Sequence, residues 1–98
     1  MYTVIQRYTF DPQMSTALAQ AMQAGLVPLL RKIPDFVAYY WLDNDEGAGA
    51  ALCMFEEQAS AERSLELATT FVQEHTTVRT RPPEIIRGKV KIHAVCTL

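Results

Sequence analysis

Residues 36–55 read FVAYYWLDNDEGAGAALCMF, and this stretch decides the fold. Two apolar runs, Phe36–Leu42 and Ala48–Phe55, flank the polar turn Asp43-Asn44-Asp45-Glu46-Gly47. Short runs rich in aromatic residues, joined by a turn whose glycine suits positive φ, read as a β-hairpin. The first run is apolar at every position. Strict alternation puts Phe36, Ala38, Tyr40 and Leu42 on one face and Val37, Tyr39 and Trp41 on the other. A sheet with helices on one side and water on the other would alternate apolar with polar residues. This hairpin does not, so both of its faces need cover. The chain is too short to supply a third layer, and a second copy of itself is the expected cover. Gly49, just inside the second strand, reads as a bulge position.

On the N-terminal side, Tyr2–Phe10 alternates as a strand. Val4, Gln6, Tyr8 and Phe10 share a face with Tyr2, while Thr3, Ile5, Arg7 and Thr9 share the other. Asp11-Pro12 starts a helix: the carboxylate caps free amides, and proline has no N–H to lose there. Met14, Leu18, Met22, Leu26, Leu29 and Leu30 form its apolar stripe. Gly25 and Pro28 predict a kink or break near Ala24. Pro34 prevents continuation. C-terminal to the hairpin, a second helix is expected from about Ala59 or Ser60 to about His75, with Ala61, Leu65, Ala68 and Val72 on its core face. A last strand follows at Glu84–Val95 after Pro82-Pro83. In it Ile86, Val90, Ile92 and Ala94 are expected to face inward, and Arg87, Lys89, Lys91 and His93 outward. The order is β-α-β-β-α-β. Right-handed crossovers and sequential pairing make it an α+β, ferredoxin-like fold: a four-stranded antiparallel sheet of order 4-1-3-2 with both helices on one face.

Composition bounds the function. The 98 residues make a single domain, 1–98, with 49% apolar and 20% charged residues and a net charge of −2. No basic face invites nucleic acid. No apolar run approaches the ~20 residues of a membrane span. Arg79, Arg81, Arg87, Lys89, Lys91 and His93 read as a solvated edge. Cys53 and Cys96 fall in expected strands beside apolar neighbours, which fits reduced, buried thiols in a cytoplasmic protein. No zinc spacing and no glycine-rich phosphate loop is present, so neither a metal nor another cofactor is expected.

Four segments carry a resemblance: the strand–helix junction Val4–Pro12, the run LLRKIPDFVAYYWL at Leu29–Leu42, Met54-Phe55-Glu56-Glu57, and Pro82-Pro83 before the last strand. Together they resemble the dimeric α/β-barrel superfamily, the antibiotic biosynthesis monooxygenase-like group. Asp35 stands where that group usually has glycine. The resemblance implies two sheets packed face to face across a two-fold axis, with a small-molecule pocket in each subunit between sheet and helices. Members include cofactor-independent monooxygenases of aromatic polyketides and haem-degrading enzymes. The haem-degrading pattern implies an asparagine near Gln6 and a histidine near His75. Its tryptophan is missing, since Leu65 and Glu66 stand at that position.

The candidate catalytic residues are therefore Gln6 and His75. Gln6 either orients a substrate oxygen or is a buried amide bonded to nearby backbone. His75 is either a general base or a helix-end imidazole favoured by the helix dipole. Tyr8, Phe36, Tyr40, Leu65 and Phe71 are the expected lining for an apolar or aromatic ligand. Tyr39 and Trp41 are expected at a homodimer interface. The expectation is a homodimer that binds a small aromatic molecule and oxygenates it, or else a dimer that binds or scaffolds without catalysis.

Overall fold

The computed structural model describes residues 1–75 and 84–96, with only the main chain described at His75. Strand β1 (Tyr2–Thr9) leads through a 3₁₀ turn at Pro12–Met14 into helix α1 (Ser15–Ala21). A π turn at Met22–Leu26 joins α1 to helix α2 (Val27–Arg31). Strands β2 (Phe36–Asp43) and β3 (Ala48–Phe55), helix α3 (Gln58–His75) and strand β4 (Glu84–Lys89) complete the order. The sheet order β2-β3-β1-β4, with every pairing antiparallel, is the expected 4-1-3-2 order read from the other edge.

Local chemistry accounts for these boundaries. The Asp11 carboxylate accepts from the Gln13 amide, and Pro12 occupies the first turn. The expected break near Ala24 is the π turn: Pro28 has no N–H to bond one turn back, and the ladder resets to wider spacing. Gly47 closes the hairpin at φ 97°, a conformation that a side chain would strain.

Asp35 has a structural task at the start of α3. Its side chain accepts from the Glu57 amide at 2.8 Å, and its carbonyl accepts from the Glu56 amide. The Ser60 hydroxyl, helped by these amides, holds its carboxyl below the usual carboxylate range. A group whose folded pKa is depressed stabilises the protein above its unfolded pKa, and that stability is lost as pH falls through the folded pKa. Asp35→Asn is therefore expected to lower stability at neutral pH and to flatten its decline below about pH 4. Urea unfolding at pH 7 and pH 3 checks this.

The core lies between the sheet and the helices. Val4, Leu18, Met22, Leu26, Leu30, Phe55, Ala61 and Ala68 are all buried there. Pairing register sets out the inner face in rows. Phe36, Phe55 and Tyr2 form one row, and Tyr39, Cys53 and Val4 the next. Trp41, Ala51 and Gln6 form the third, and Asp43, Gly49 and Tyr8 the last.

Two sequence expectations fail here. The first concerns β2. Its register shifts between Phe36 and Ala38, so Val37 is an extra residue and the alternation changes phase. Phe36 still faces the helices, but the next inward residues are Tyr39 and Trp41. Tyr40 and Leu42 face away and stay exposed. The expected sides of Tyr39, Trp41 and Tyr40 are thus reversed. The second concerns the last strand. It pairs only to Lys89, opposite Tyr2, the first residue of β1. Val90 still donates to the Met1 carbonyl at 2.9 Å, Lys91–Cys96 continues without strand pairing, and Ile92 and Val95 are exposed. Ile86 lies opposite Ile5 on the face away from the helices, and Arg87 lies opposite Val4 on the helix side. Cys53 is buried as expected, but Cys96 is exposed.

The sheet face away from the helices carries Ile5, Ala38, Tyr40, Leu42, Leu52 and Met54 in adjoining register positions. Tyr40 is 55% and Leu42 59% exposed in a single copy. The doubly apolar character of the hairpin is real, although different residues carry it.

Candidate functional site

Four polar side chains meet on the inner face. Gln6 is 1% exposed, and its Nε2 donates to Thr69 Oγ1 on α3 at 3.2 Å. Thr69 in turn donates to the Leu65 carbonyl at 2.8 Å. Trp41 shares Gln6's row, with only the Ala51 methyl between them. The indole also lies over Gly49: a β-carbon there would stand 2.8 Å from the ring. Glycine and alanine on β3 thus let Trp41 reach across that strand to β1. Its ring centroid is 6.1 Å from that of Tyr8 and 5.9 Å from that of Phe10, both tilted. Gly49 marks this close approach rather than the bulge its position in the sequence predicts.

Two of these side chains carry poorly satisfied donors. Among the described residues, the Tyr8 hydroxyl and the Trp41 indole N–H are buried with no well-formed hydrogen bond. Each such group costs about 1–3 kcal/mol if left unsatisfied. Burial pushes the Tyr8 phenol up to about 12; the Cys53 thiol adds to this and the Gln6 amide opposes it. The phenol therefore stays protonated at neutral pH and can donate. Burial, then Cys53 and Tyr8, raise the Tyr39 phenol above its ordinary range, and its hydroxyl contacts Met22 Sδ at 3.1 Å. The Cys53 thiol is raised to about 11 by burial, against an opposing hydrogen bond with Ser64, which makes it a poor nucleophile at neutral pH.

A groove of about 500 Å³ runs along the free edge of β2, and of this cluster Trp41 lines it. Met22, Gln23 and Arg31 line one side, and Phe36, Tyr39 and Trp41 the other. Its volume lies within the range of ligand pockets. Trp41 forms part of its wall, and Tyr8 stacks against Trp41 behind it.

The expected site residues are therefore only partly brought together. Gln6 and Tyr8 lie on the inner floor, and Phe36 lines the groove. Tyr40 turns its side toward the opposite face of the sheet but still borders the groove at the β2 edge. Leu65 packs at the core's margin and accepts from Thr69. Phe71 is buried in the core beside α2's Leu29, in a smaller groove between the helices. His75 ends α3, and its side chain is outside the described residues. Sequence reasoning missed Thr69 and placed Trp41 on the wrong face. The small residues Gly49 and Ala51 opposite a tryptophan were the available signal. Among the described residues, no three His, Cys, Asp or Glu side chains gather as metal ligands, and no helix is long and apolar enough to cross a membrane.

Solved structures match this architecture over nearly the whole chain. A protein of unknown function from Nitrosomonas europaea superposes with a TM-score of 0.76 at 18% identity, covering 98% of this chain and 94% of that one. A Streptomyces coelicolor monooxygenase from the gene ActVA-Orf6, solved with the ligand nanaomycin D, gives 0.71 at 15% identity over 98% and 92%. The chain has the antibiotic biosynthesis monooxygenase fold. A dimeric ferredoxin-like protein from an uncultured marine organism shares this fold too, with a TM-score of 0.70 at 8% identity over 98% of this chain and all of that one. These identities establish the fold and leave the chemistry to the residues. No family model and no curated protein sequence matches the chain.

Proposed function

We propose that this protein is a homodimer that binds an electron-rich aromatic molecule in the β2-edge groove and oxygenates it without a cofactor. The observation that carries the reading is a pair of buried donors without a well-formed hydrogen bond, Trp41 N–H in the wall of an aromatic-lined groove and Tyr8 O–H behind it. A ligand oxygen would satisfy them. The nanaomycin D bound by the Streptomyces protein of the same fold supports a small-molecule site.

In the chemistry proposed, a phenolic substrate loses its hydroxyl proton, and His75 at the end of α3 is the candidate base. The resulting carbanion bonds to dioxygen at the position para to the oxyanion. The O–O bond then breaks: one oxygen stays as a carbonyl and the other leaves as water. Phenol plus dioxygen thus gives quinone plus water, with dioxygen as both oxidant and oxygen source. The chain's contribution is to hold the ring against Trp41 and to donate hydrogen bonds from Tyr8 and Trp41 to the substrate oxyanion, away from water. Gln6, fixed by Thr69, positions the reacting edge. The two free cysteines fit a cytoplasmic setting.

Oxygen uptake with a panel of hydroxylated naphthalenes and anthracenes tests this. The expected result is consumption of one dioxygen per quinone formed. Gln6→Ala and His75→Ala are each expected to lower turnover by at least ~100-fold, in line with loss of an orienting or acid–base group. Unchanged turnover in both variants would remove these roles. Saturable binding without oxygen uptake would make the protein a carrier.

A further inference from the structure

The wall of the β2-edge groove is neutral except at one point. On the helix side, Ala19, Gln23, Val27 and Arg31 recur every four residues and form one ridge along it. In an unbroken α-helix such a row drifts around the axis, because a turn takes about 3.6 residues. The wider π turn at Met22–Leu26 offsets part of that drift and keeps Arg31 in line with Ala19 and Gln23. Arg31 is the only charged side chain in this lining. It is exposed, and among the described residues it has no ion-pair partner. Asp35, the acid nearest to it in sequence, is engaged at the start of α3 by Ser60 and the Glu57 amide. Helix-end electrostatics alone do not call for a cation in the groove: Lys32, at the C-cap of the same helix, lies outside the lining.

Three contacts order the groove from end to end. The Ser15 hydroxyl donates to the Asp43 carboxylate, and the Tyr39 hydroxyl contacts Met22 Sδ. The Phe36 amide donates to the Ile33 carbonyl, two residues past Arg31. The helical segment therefore runs antiparallel to β2, with Arg31 at the Phe36 end and Ala19 toward the Trp41 end. Phe36 and Trp41 pair with Phe55 and Ala51, a separation of about 13 Å along β3. The groove thus has a cation at one end and the Trp41 N–H donor at the other, with aromatic surface between them.

We propose that Arg31 determines specificity, and that the groove takes a fused-ring aromatic with a carboxylate at the end remote from its phenolic hydroxyl; this rests on the aromatic-ligand reading above. The planar guanidinium fork matches a carboxylate through two parallel hydrogen bonds, and charge-assisted bonds of this kind are about twice as strong as neutral ones. With the carboxylate held at the Phe36 end, the ring lies along Tyr39 and its hydroxyl reaches the Trp41 N–H, with Tyr8 behind. A ligand bearing a hydroxyl alone could lie in the groove in either direction. The carboxylate fixes one direction, so the same ring edge always meets the donors. Arg31 sets that orientation and takes no part in the bond-making steps.

Isothermal titration calorimetry at pH 7 with three probes tests this. They are 6-hydroxy-2-naphthoic acid, whose two groups sit at opposite ends of the ring system, its neutral methyl ester, and 3-hydroxy-2-naphthoic acid, whose groups are adjacent. The native protein is expected to bind the first acid about tenfold more tightly than the ester or the adjacent isomer, in line with charged hydrogen bonds at a partly solvated site. Arg31→Gln, at an exposed position, should keep its far-UV circular dichroism spectrum. It should bind that acid no more tightly than the ester and leave ester affinity within about twofold of native. Saturable ester binding with equal affinity for acid and ester, or a preference for the acid that survives in Arg31→Gln, would overturn the role of Arg31 and leave the aromatic reading standing. Equal affinity for the two acids would overturn the proposed direction of the ligand. If none of the three probes binds saturably, the aromatic reading falls and this inference falls with it.

Discussion

Leu42→Glu is expected to convert the proposed dimer to a folded monomer. Leu42 lies on the open sheet face at 59% exposure, so a carboxylate there meets water in a single copy and costs little. In a face-to-face dimer the same carboxylate would be buried among Tyr40, Leu52 and Ala50, and Arg7, which shares its row on the far side of β3, is already paired with Glu84. An unpaired charge in such a place costs several kcal/mol, and two-fold symmetry imposes the cost twice. A weakening of at least ~100-fold in dimer dissociation constant corresponds to about 2.7 kcal/mol. Sedimentation velocity across a concentration series would show the change, with the far-UV circular dichroism spectrum retained. A dimer of unchanged affinity would mean that the apolar face serves something else.

Phe55→Ala is expected to cost about 3–5 kcal/mol of folding stability. Phe55 is fully buried at the end of β3, and its ring meets Phe36 edge-on at a centroid distance of 5.6 Å. It pairs with both Tyr2 and Phe36, so it ties the first row of the inner face together where β2 begins its bulge. Small domains have total stabilities of roughly 5–15 kcal/mol, so this loss approaches unfolding. Urea denaturation followed by circular dichroism measures it. A loss below about 1 kcal/mol would show that the site collapses to fill the space, contrary to the tight packing described.

The fold was legible because its signals were local and consistent. Asp11-Pro12, Pro28, Pro34 and Gly47 each act through their own backbone, and each did in the structure what its chemistry requires. The inner face of β2 was not legible, for a reason that follows from its composition. Alternation fixes a strand's phase only when one face is polar. Phe36–Leu42 is apolar throughout, so an extra residue at Val37 leaves no trace in the pattern. The last strand failed differently. Its alternation runs cleanly to Val95, but pairing ends where β1 begins, at Tyr2, and periodicity cannot report where a partner runs out. At the candidate site, Gln6 and Tyr8 were readable from a strand that does alternate. Thr69 was not, because its role comes from α3 crossing β1, a contact between residues far apart in the chain.

Trp41 is the protein's single tryptophan and a wall of the proposed groove, so its fluorescence reports directly on occupancy. The most direct measurement is a titration of the native protein with a hydroxylated naphthalene, following Trp41 emission. The account predicts saturable quenching with one ligand per chain. It also predicts about tenfold weaker binding in Tyr8→Phe, the loss of one hydrogen bond of ~1.4 kcal/mol. No saturable quenching, or equal affinity in Tyr8→Phe, would contradict a ligand held at the Trp41–Tyr8 wall.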